Sequence, residues 1–135
     1  MELFTPRLRL REFIQADFSA LRDMDAQLIL HTYERMPPTE LETHMTLEES
    51  LKHQTDNPRT VYKLAMVITP QDSVKGLIKL SRQWSAIREW EIGWAVHPQE
   101  WGKGFATEAA WCVMDYAFRE LGVHRIVAFC HVDNR

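Results

Sequence analysis

Apolar and polar residues alternate at the start of the chain. Arg7, Arg9 and Arg11 point one way and Leu8 and Leu10 the other, the period-two pattern of a half-buried strand over residues 5–13. The period then lengthens. Asp17 opens a short helix with Phe18, Leu21 and Met24 at threefold spacing. Residues 28–45 are irregular and contain Pro37-Pro38. Thr46 with Glu49 three residues on has the form of a capping box, which predicts a helix over residues 47–55, stopped by Asn57-Pro58. Residues 61–68 are strongly apolar and read as a central strand. A turn at Pro70-Gln71-Asp72-Ser73 leads to a hairpin partner over residues 74–80. Residues 81–87 read as a connection and residues 88–97 as a third long strand. The longest helix covers residues 105–121, with Gly122 as its left-handed cap, and a last strand covers residues 123–132. Trp111, Met114 and Phe118 form a stripe on that helix, most simply core packing.

The short connections among the three central strands make them antiparallel. The long helix crosses over, so the last strand runs parallel to the one before it. This is an α/β chain of the α+β type, a mixed, mostly antiparallel sheet flanked by helices. No repeat or composition shift divides it, so the 135 residues read as one domain, 1–135.

Composition narrows the chemistry. Apolar residues make up 45% and charged residues 26%, a globular balance. A net charge of -3 gives no pull towards nucleic acid or an anionic membrane surface. No apolar run approaches a membrane span, and Met1 to Arg11 carries three arginines, unlike a secretory signal. Cys112 and Cys130 do not make a disulfide framework, which fits a reduced, cytoplasmic protein. His31, His44, His53, His124 and His131 lack ligand spacing, so no metal is expected.

The most specific signal is the turn after the third long strand. Ile92, Trp94 and Val96 run into Gln99-Glu100-Trp101-Gly102-Lys103-Gly104, and a helix follows at once. Such a turn bares backbone N–H groups in front of a helix dipole, a socket for phosphate or pyrophosphate. Gly102 and Gly104 remove side chains that would keep a ligand off the backbone. A dinucleotide fingerprint needs a third glycine where Thr107 stands, and a P-loop needs Ser or Thr where Gly104 stands.

The order Gln99-x-x-Gly102-x-Gly104 resembles the coenzyme A pyrophosphate loop of the GNAT superfamily of N-acetyltransferases. The resemblance extends over nearly the whole chain. Phe4-Thr5-Pro6-Arg7-Leu8-Arg9-Leu10-Arg11 resembles the first strand of the RimJ/RimL-type subgroup, which acetylates N-termini of ribosomal proteins. Gly76-Leu77-Ile78-Lys79-Leu80, Glu91-Ile92-Gly93-Trp94-Ala95-Val96 and Trp101-Gly102-Lys103-Gly104-Phe105-Ala106-Thr107-Glu108-Ala109 are similar to its later strands and cofactor loop. Tyr116-Ala117-Phe118 with Leu121-Gly122, and Arg125-Ile126-Val127-Ala128 followed by Asn134, complete the set. The resemblance implies the acyl-CoA N-acyltransferase (GNAT) fold. It also implies that the last helix and closing hairpin, which follow this asparagine in the family, are absent from the chain, so the domain is C-terminally incomplete. The strand at 123–132 is then an apolar edge. Either a second copy covers it, giving a homodimer, or the chain is a fragment.

Acetyl transfer from a thioester needs a polarised carbonyl, a neutral amine held in line, and a thiolate that can leave. The resemblance implies acetyl-CoA as co-substrate, no metal, and a pantetheine arm lying in a gap between the strands at 88–97 and 123–132. Backbone groups of Ala95, Val96 and His97 would bond that arm, and an N–H near Val96 would polarise the carbonyl. The pyrophosphate would sit on Trp101, Gly102, Lys103, Gly104, Phe105, Ala106 and Thr107, and Asn134 would contact the cofactor. The Lys103 side chain could add a charge to the phosphate, but it reads first as a solvated turn residue. Glu91 is the candidate for orienting the amine, against the alternative of a strand glutamate paired with an arginine. Tyr33 and Glu34 are candidate acceptor contacts. The acceptor is a primary amine, a protein N-terminus or a small molecule, attacking directly in a ternary complex. The competing reading is a non-catalytic acyl-CoA-binding or protein-interaction module.

Overall fold

A computed structural model of the chain describes residues 1–27, 38–84 and 89–128. Its frame is one six-stranded sheet in sequence order: β1 (Glu2–Phe4), β2 (Leu8–Glu12), β3 (Val61–Ile68), β4 (Ser73–Trp84), β5 (Glu89–Val96) and β6 (Arg125–Val127). All neighbours are antiparallel except β5 and β6, which are parallel across the α3 (Phe105–Glu120) crossover. β3 is central, as its unbroken apolar run implies. Gly122 closes α3 with φ of 64°.

Each face of the sheet buries one layer. Leu8, Leu10, Leu64, Met66, Ile78, Leu80, Trp90 and Ile92 pack under α3, which presents Phe105, Ala109, Val113 and Ala117. The opposite face carries Ala65 and Val67, covered by Phe13, by Leu21 of α1 (Phe18–Asp25) and by Leu47 of α2 (Glu40–His53).

Four expectations are corrected. The strand expected over residues 5–13 is β2 and begins at Leu8, because the Thr5 amide donates to the Leu8 carbonyl (2.9 Å) and folds a further strand, β1, back on it as a hairpin. The second helix begins at Glu40, seven residues before the expected start. Its capping box is Thr39 and Glu42: the Glu42 amide donates to Thr39 Oγ1 (3.2 Å) and the Thr39 amide to Glu42 Oε1 (3.0 Å). Thr46 lies inside that helix, where its carbonyl accepts from Ser50 Oγ. Strand β4 runs on to Trp84 through residues taken for a connection. Two of the three stripe residues on α3 face outward, Trp111 at 68% exposed and Phe118 at 47%, whereas Met114 packs against the core; the buried side of the helix is Phe105, Ala109, Val113 and Ala117. The last strand is seen as Arg125–Val127; residues 129–132 lie outside the described residues.

Candidate active site

The site is built along β5. Leu77 lies opposite Ala95 and Gly76 opposite Val96. The amide of His97 donates to the carbonyl of Lys75 (2.7 Å), which fixes the alternation. Ala95 and His97 turn their backbone groups towards β4, whereas Trp94 and Val96 turn theirs the other way. On that other side β6 pairs only with Glu89, Trp90 and Glu91. Beyond Glu91, among the described residues, β5 has no strand neighbour on that side. The Val96 carbonyl accepts from the Trp101 indole Nε1 (2.7 Å), and the Val96 N–H faces the opening.

The three expected backbone positions differ in their surroundings. The Val96 N–H faces the opening, whereas the His97 N–H goes to Lys75 and its carbonyl accepts from the Glu100 amide (2.8 Å). Ala95 belongs to the same β4-facing set. The His97 imidazole is the larger surprise. It is buried, with Nδ1 accepting from the Gln99 amide (3.2 Å) and Nε2 3.0 Å from Asp23 Oδ2 on α1. It ties the end of β5 to the helix layer on the other face.

The loop after β5 turns in two left-handed steps, Gly102 at φ 77° and Gly104 at φ 81°. A Cβ on Gly102 would meet nothing within 4 Å. The first intrahelical bond of α3 is Glu108 N–H to the Gly104 carbonyl (3.0 Å), so the N–H groups of Phe105, Ala106 and Thr107 have no intrahelical acceptor. Gly104 supplies no side-chain cap. Lys103 pairs with Glu100 (2.9 Å), so its side chain is held within the turn.

Two residues missed by sequence reasoning shape the mouth of this socket. Glu108 stands in the first turn of α3, where its carboxylate could occupy the anion site itself. It is turned away. Thr5 Oγ1, the Arg7 amide (3.0 Å) and Arg7 Nε (2.8 Å) all donate to it. The Arg7 guanidinium in turn lies over the Phe105 ring, 4.4 Å from its centroid, and 3.4 Å from where a Cβ on Gly104 would stand. A gap of about a hundred residues in sequence hides this cluster from any local pattern.

Glu91 is half-buried on the face of β5 that looks towards α1 and α2, opposite Ser81 on β4 and Val127 on β6. Glu89 lies 3.9 Å from Arg125, a strand ion pair. Tyr33, Glu34 and Asn134 lie outside the described residues. Among the described residues no cluster of His, Cys, Asp or Glu could hold a metal ion, and no helix is long and apolar enough to cross a membrane.

A family model described as the acetyltransferase (GNAT) domain matches residues 7–135. The chain belongs to the GNAT acetyltransferases. It is an enzyme with the fold of that family. The acetyltransferase is 30% identical to the uncharacterized N-acetyltransferase YnaD of Bacillus subtilis over 138 residues, 99% of this chain and 75% of that one. It superimposes on a GNAT-family acetyltransferase from Bacillus anthracis with a TM-score of 0.84 at 24% identity, covering 99% of this chain and 76% of the other. RimL, the ribosomal L7/L12 alpha-N-protein acetyltransferase solved with coenzyme A, gives 0.79 at 19% identity over 99% and 77%. These two likenesses are in fold.

Proposed function

We propose that this acetyltransferase moves an acetyl group from acetyl-CoA to a primary amine, a protein N-terminus or a small amine, by direct attack in a ternary complex. One observation supports the reading: beyond Glu91, among the described residues, the outer side of β5 has no strand partner, and it opens beside a left-handed glycine loop where the acid of the first helical turn, Glu108, is held aside. The residues present fit the co-substrate. The amides of Gly102 to Thr107 receive the pyrophosphate at the start of α3. Arg7 adds positive charge at the rim. The Val96 N–H, facing the opening, donates to the thioester carbonyl. Bound acetyl-CoA supplies the activated acetyl group.

Glu91 orients the acceptor. A peptide α-amine, with a pKa near 8, is partly neutral at pH 7 and needs little help, so a half-buried carboxylate that holds the amine and accepts its proton is sufficient. Tyr33 and Glu34 complete the acceptor side, and Asn134 the cofactor side, in this reading. The strand resemblance at residues 4–11 and 101–109 supports the RimJ/RimL-type subgroup and a cytoplasmic setting. The free thiol of Cys112 is consistent with that compartment. For the edge at β6 we propose a second copy as partner. Light scattering at micromolar concentration should then give twice the chain mass, and a monomer would remove this part.

Gly102 provides the test of the cofactor site. The space above it is open, so an added methyl strains only the left-handed φ, by about 1–2 kcal/mol, and that strain acts with or without a ligand. Gly102→Ala should stay folded and bind acetyl-CoA at least tenfold more weakly by calorimetry, because the methyl stands where a phosphate approaches. Unchanged affinity, or no acetyl-CoA binding by the unaltered protein, rejects the reading.

A further inference from the structure

The sheet face that looks towards α1 and α2 contains a feature that neither packing nor backbone geometry requires. Lys63 on β3 lies directly opposite Lys79 on β4, and Lys79 lies directly opposite Gly93 on β5. The three form one row across the sheet. The next row is apolar, Ala65, Leu77 and Ala95; the row on the other side is Val61, Ser81 and Glu91. Like charges facing each other across strands are destabilising. Lys63 is half-buried, and neither lysine forms an ion pair among the described residues. Burial, then the charge of Lys79, push the Lys63 ammonium below its ordinary range. Asp25 on α1 and Glu49 on α2 oppose this from across the layer without overcoming it.

Gly93 is equally unexplained by the fold. Its φ is not in the left-handed region, and a Cβ built on it would meet nothing within 4 Å. Glycine inside a strand weakens it, and a common reason to keep one is the close approach of another molecule. Here the vacant Cβ position sits on the strand between Glu91, two residues before it, and Val96, three residues after it, the two β5 residues that the proposed reaction uses. The row therefore offers positive charge held in no ion pair among the described residues, and open space, within three residues of the reacting centre, about 10 Å along the strand.

We infer that Lys63 and Lys79 select an acceptor that carries an anionic group close to its amine, a carboxylate seated over Gly93. The inference rests on the acetyl-transfer reading and names its substrate class. The amine lies against Glu91 and the carboxylate against the lysine pair, so the acceptor is held at two points and its nitrogen is oriented. An acidic N-terminal residue of a peptide has this spacing. A polyamine does not: its second cation would face two lysines. The acidic residues of α2 do not reverse this preference. Glu40 and Glu42 are exposed on the first turn, where Glu42 closes the cap, Glu48 accepts from Gln15, and Glu49, which does act on Lys63, is exposed and lies 3.7 Å from His53 Nε2.

The test compares a peptide amide beginning with Asp, the same peptide beginning with Asn, and spermidine. With the unaltered protein kcat/KM should be at least tenfold higher for the Asp peptide than for the Asn peptide, and lowest for spermidine. Lys79→Gln and Lys63→Met should each bring the Asp peptide down to the level of the Asn peptide, with the affinity for acetyl-CoA unchanged. Lys79→Arg should restore the preference. Both lysine replacements remove a repulsion, so the variants should melt no lower than the parent. Calorimetric binding of the two peptides to protein already loaded with CoA gives the same comparison without turnover. Equal binding and equal rates for Asp and Asn, or a preference for spermidine, overturn the inference while leaving acetyl transfer intact. Failure to bind acetyl-CoA defeats the parent reading instead. A lysine variant that slows both peptides alike also overturns the inference, because it marks the pair as structural.

Discussion

Single side chains here do most of their work by neutralising one another. Asp17 shows this most clearly. It is 5% exposed and receives both Arg11 nitrogens, each at 2.9 Å, together with the Ile14 amide (2.8 Å). Both carboxylate oxygens that burial strips of water are answered by donors. That arrangement is not by itself a source of stability, because desolvating both ions offsets their attraction. Removing one partner is different, since it strands the other. Asp17→Ala should lower unfolding free energy by about 3–5 kcal/mol in urea denaturation, whereas Arg11→Met with Asp17→Leu should lose much less. A single variant that costs under about 1 kcal/mol would show the pair to be hydrated. His97 belongs to the same class: a histidine beside a ligand loop invites a catalytic reading, but its two ring nitrogens are already engaged by Gln99 and Asp23.

Elements were legible in proportion to how local their causes are. The glycine loop and the α3 helix were read correctly because a left-handed turn, a helix start and a glycine cap are written in consecutive residues. The start of α2 was misread because the chain offers two Thr-x-x-Glu patterns, at 39–42 and 46–49, and periodicity alone cannot choose between them. Pro37-Pro38 immediately before Thr39 was the available clue. The exposed stripe on α3 was misjudged for another reason. Hydrophobicity alone favours burying Trp111 and Phe118, yet the face that meets the sheet is the one carrying Phe105, Ala109, Val113 and Ala117, and a helix can turn only one face to the core. The β1 hairpin hung on the Thr5-Pro6 turn, which alternation concealed. Strand register was the deepest gap. That Lys63, Lys79 and Gly93 share a row follows only from pairings between strands 14 to 16 residues apart.

At the scale of the whole molecule, the first hairpin of the sheet meets the start of α3 beside the glycine loop. Thr5 and Arg7 of the first turn hold Glu108 of the last helix, so the hairpin that opens the sheet also clears the socket that α3 presents. The electrostatics of this closure have a sign. Burial tends to raise the Glu108 carboxyl, but the hydrogen bonds from Thr5 and Arg7 and the charge of Arg7 outweigh it and hold it below the usual carboxylate range. The folded state therefore binds its proton less readily than the unfolded chain, whose value is about 4.3. The stabilisation is complete above that value and is lost as pH falls through the lower, folded one. Glu108→Gln removes the charge at every pH. It should cost about 1–3 kcal/mol near pH 7, the scale of hydrogen bonds to a charged group. The difference between variant and parent should shrink as pH drops below 4. Amide exchange should rise first in β1 and at the start of α3, since those are the segments the contact joins. The same variant releases Arg7 from above Phe105, so acetyl-CoA affinity should fall together with the docking of the hairpin. Weaker cofactor binding with unchanged exchange in β1 would mean that Glu108 acts on the loop alone. Unchanged melting at neutral pH would mean that the hairpin docks on α3 without it.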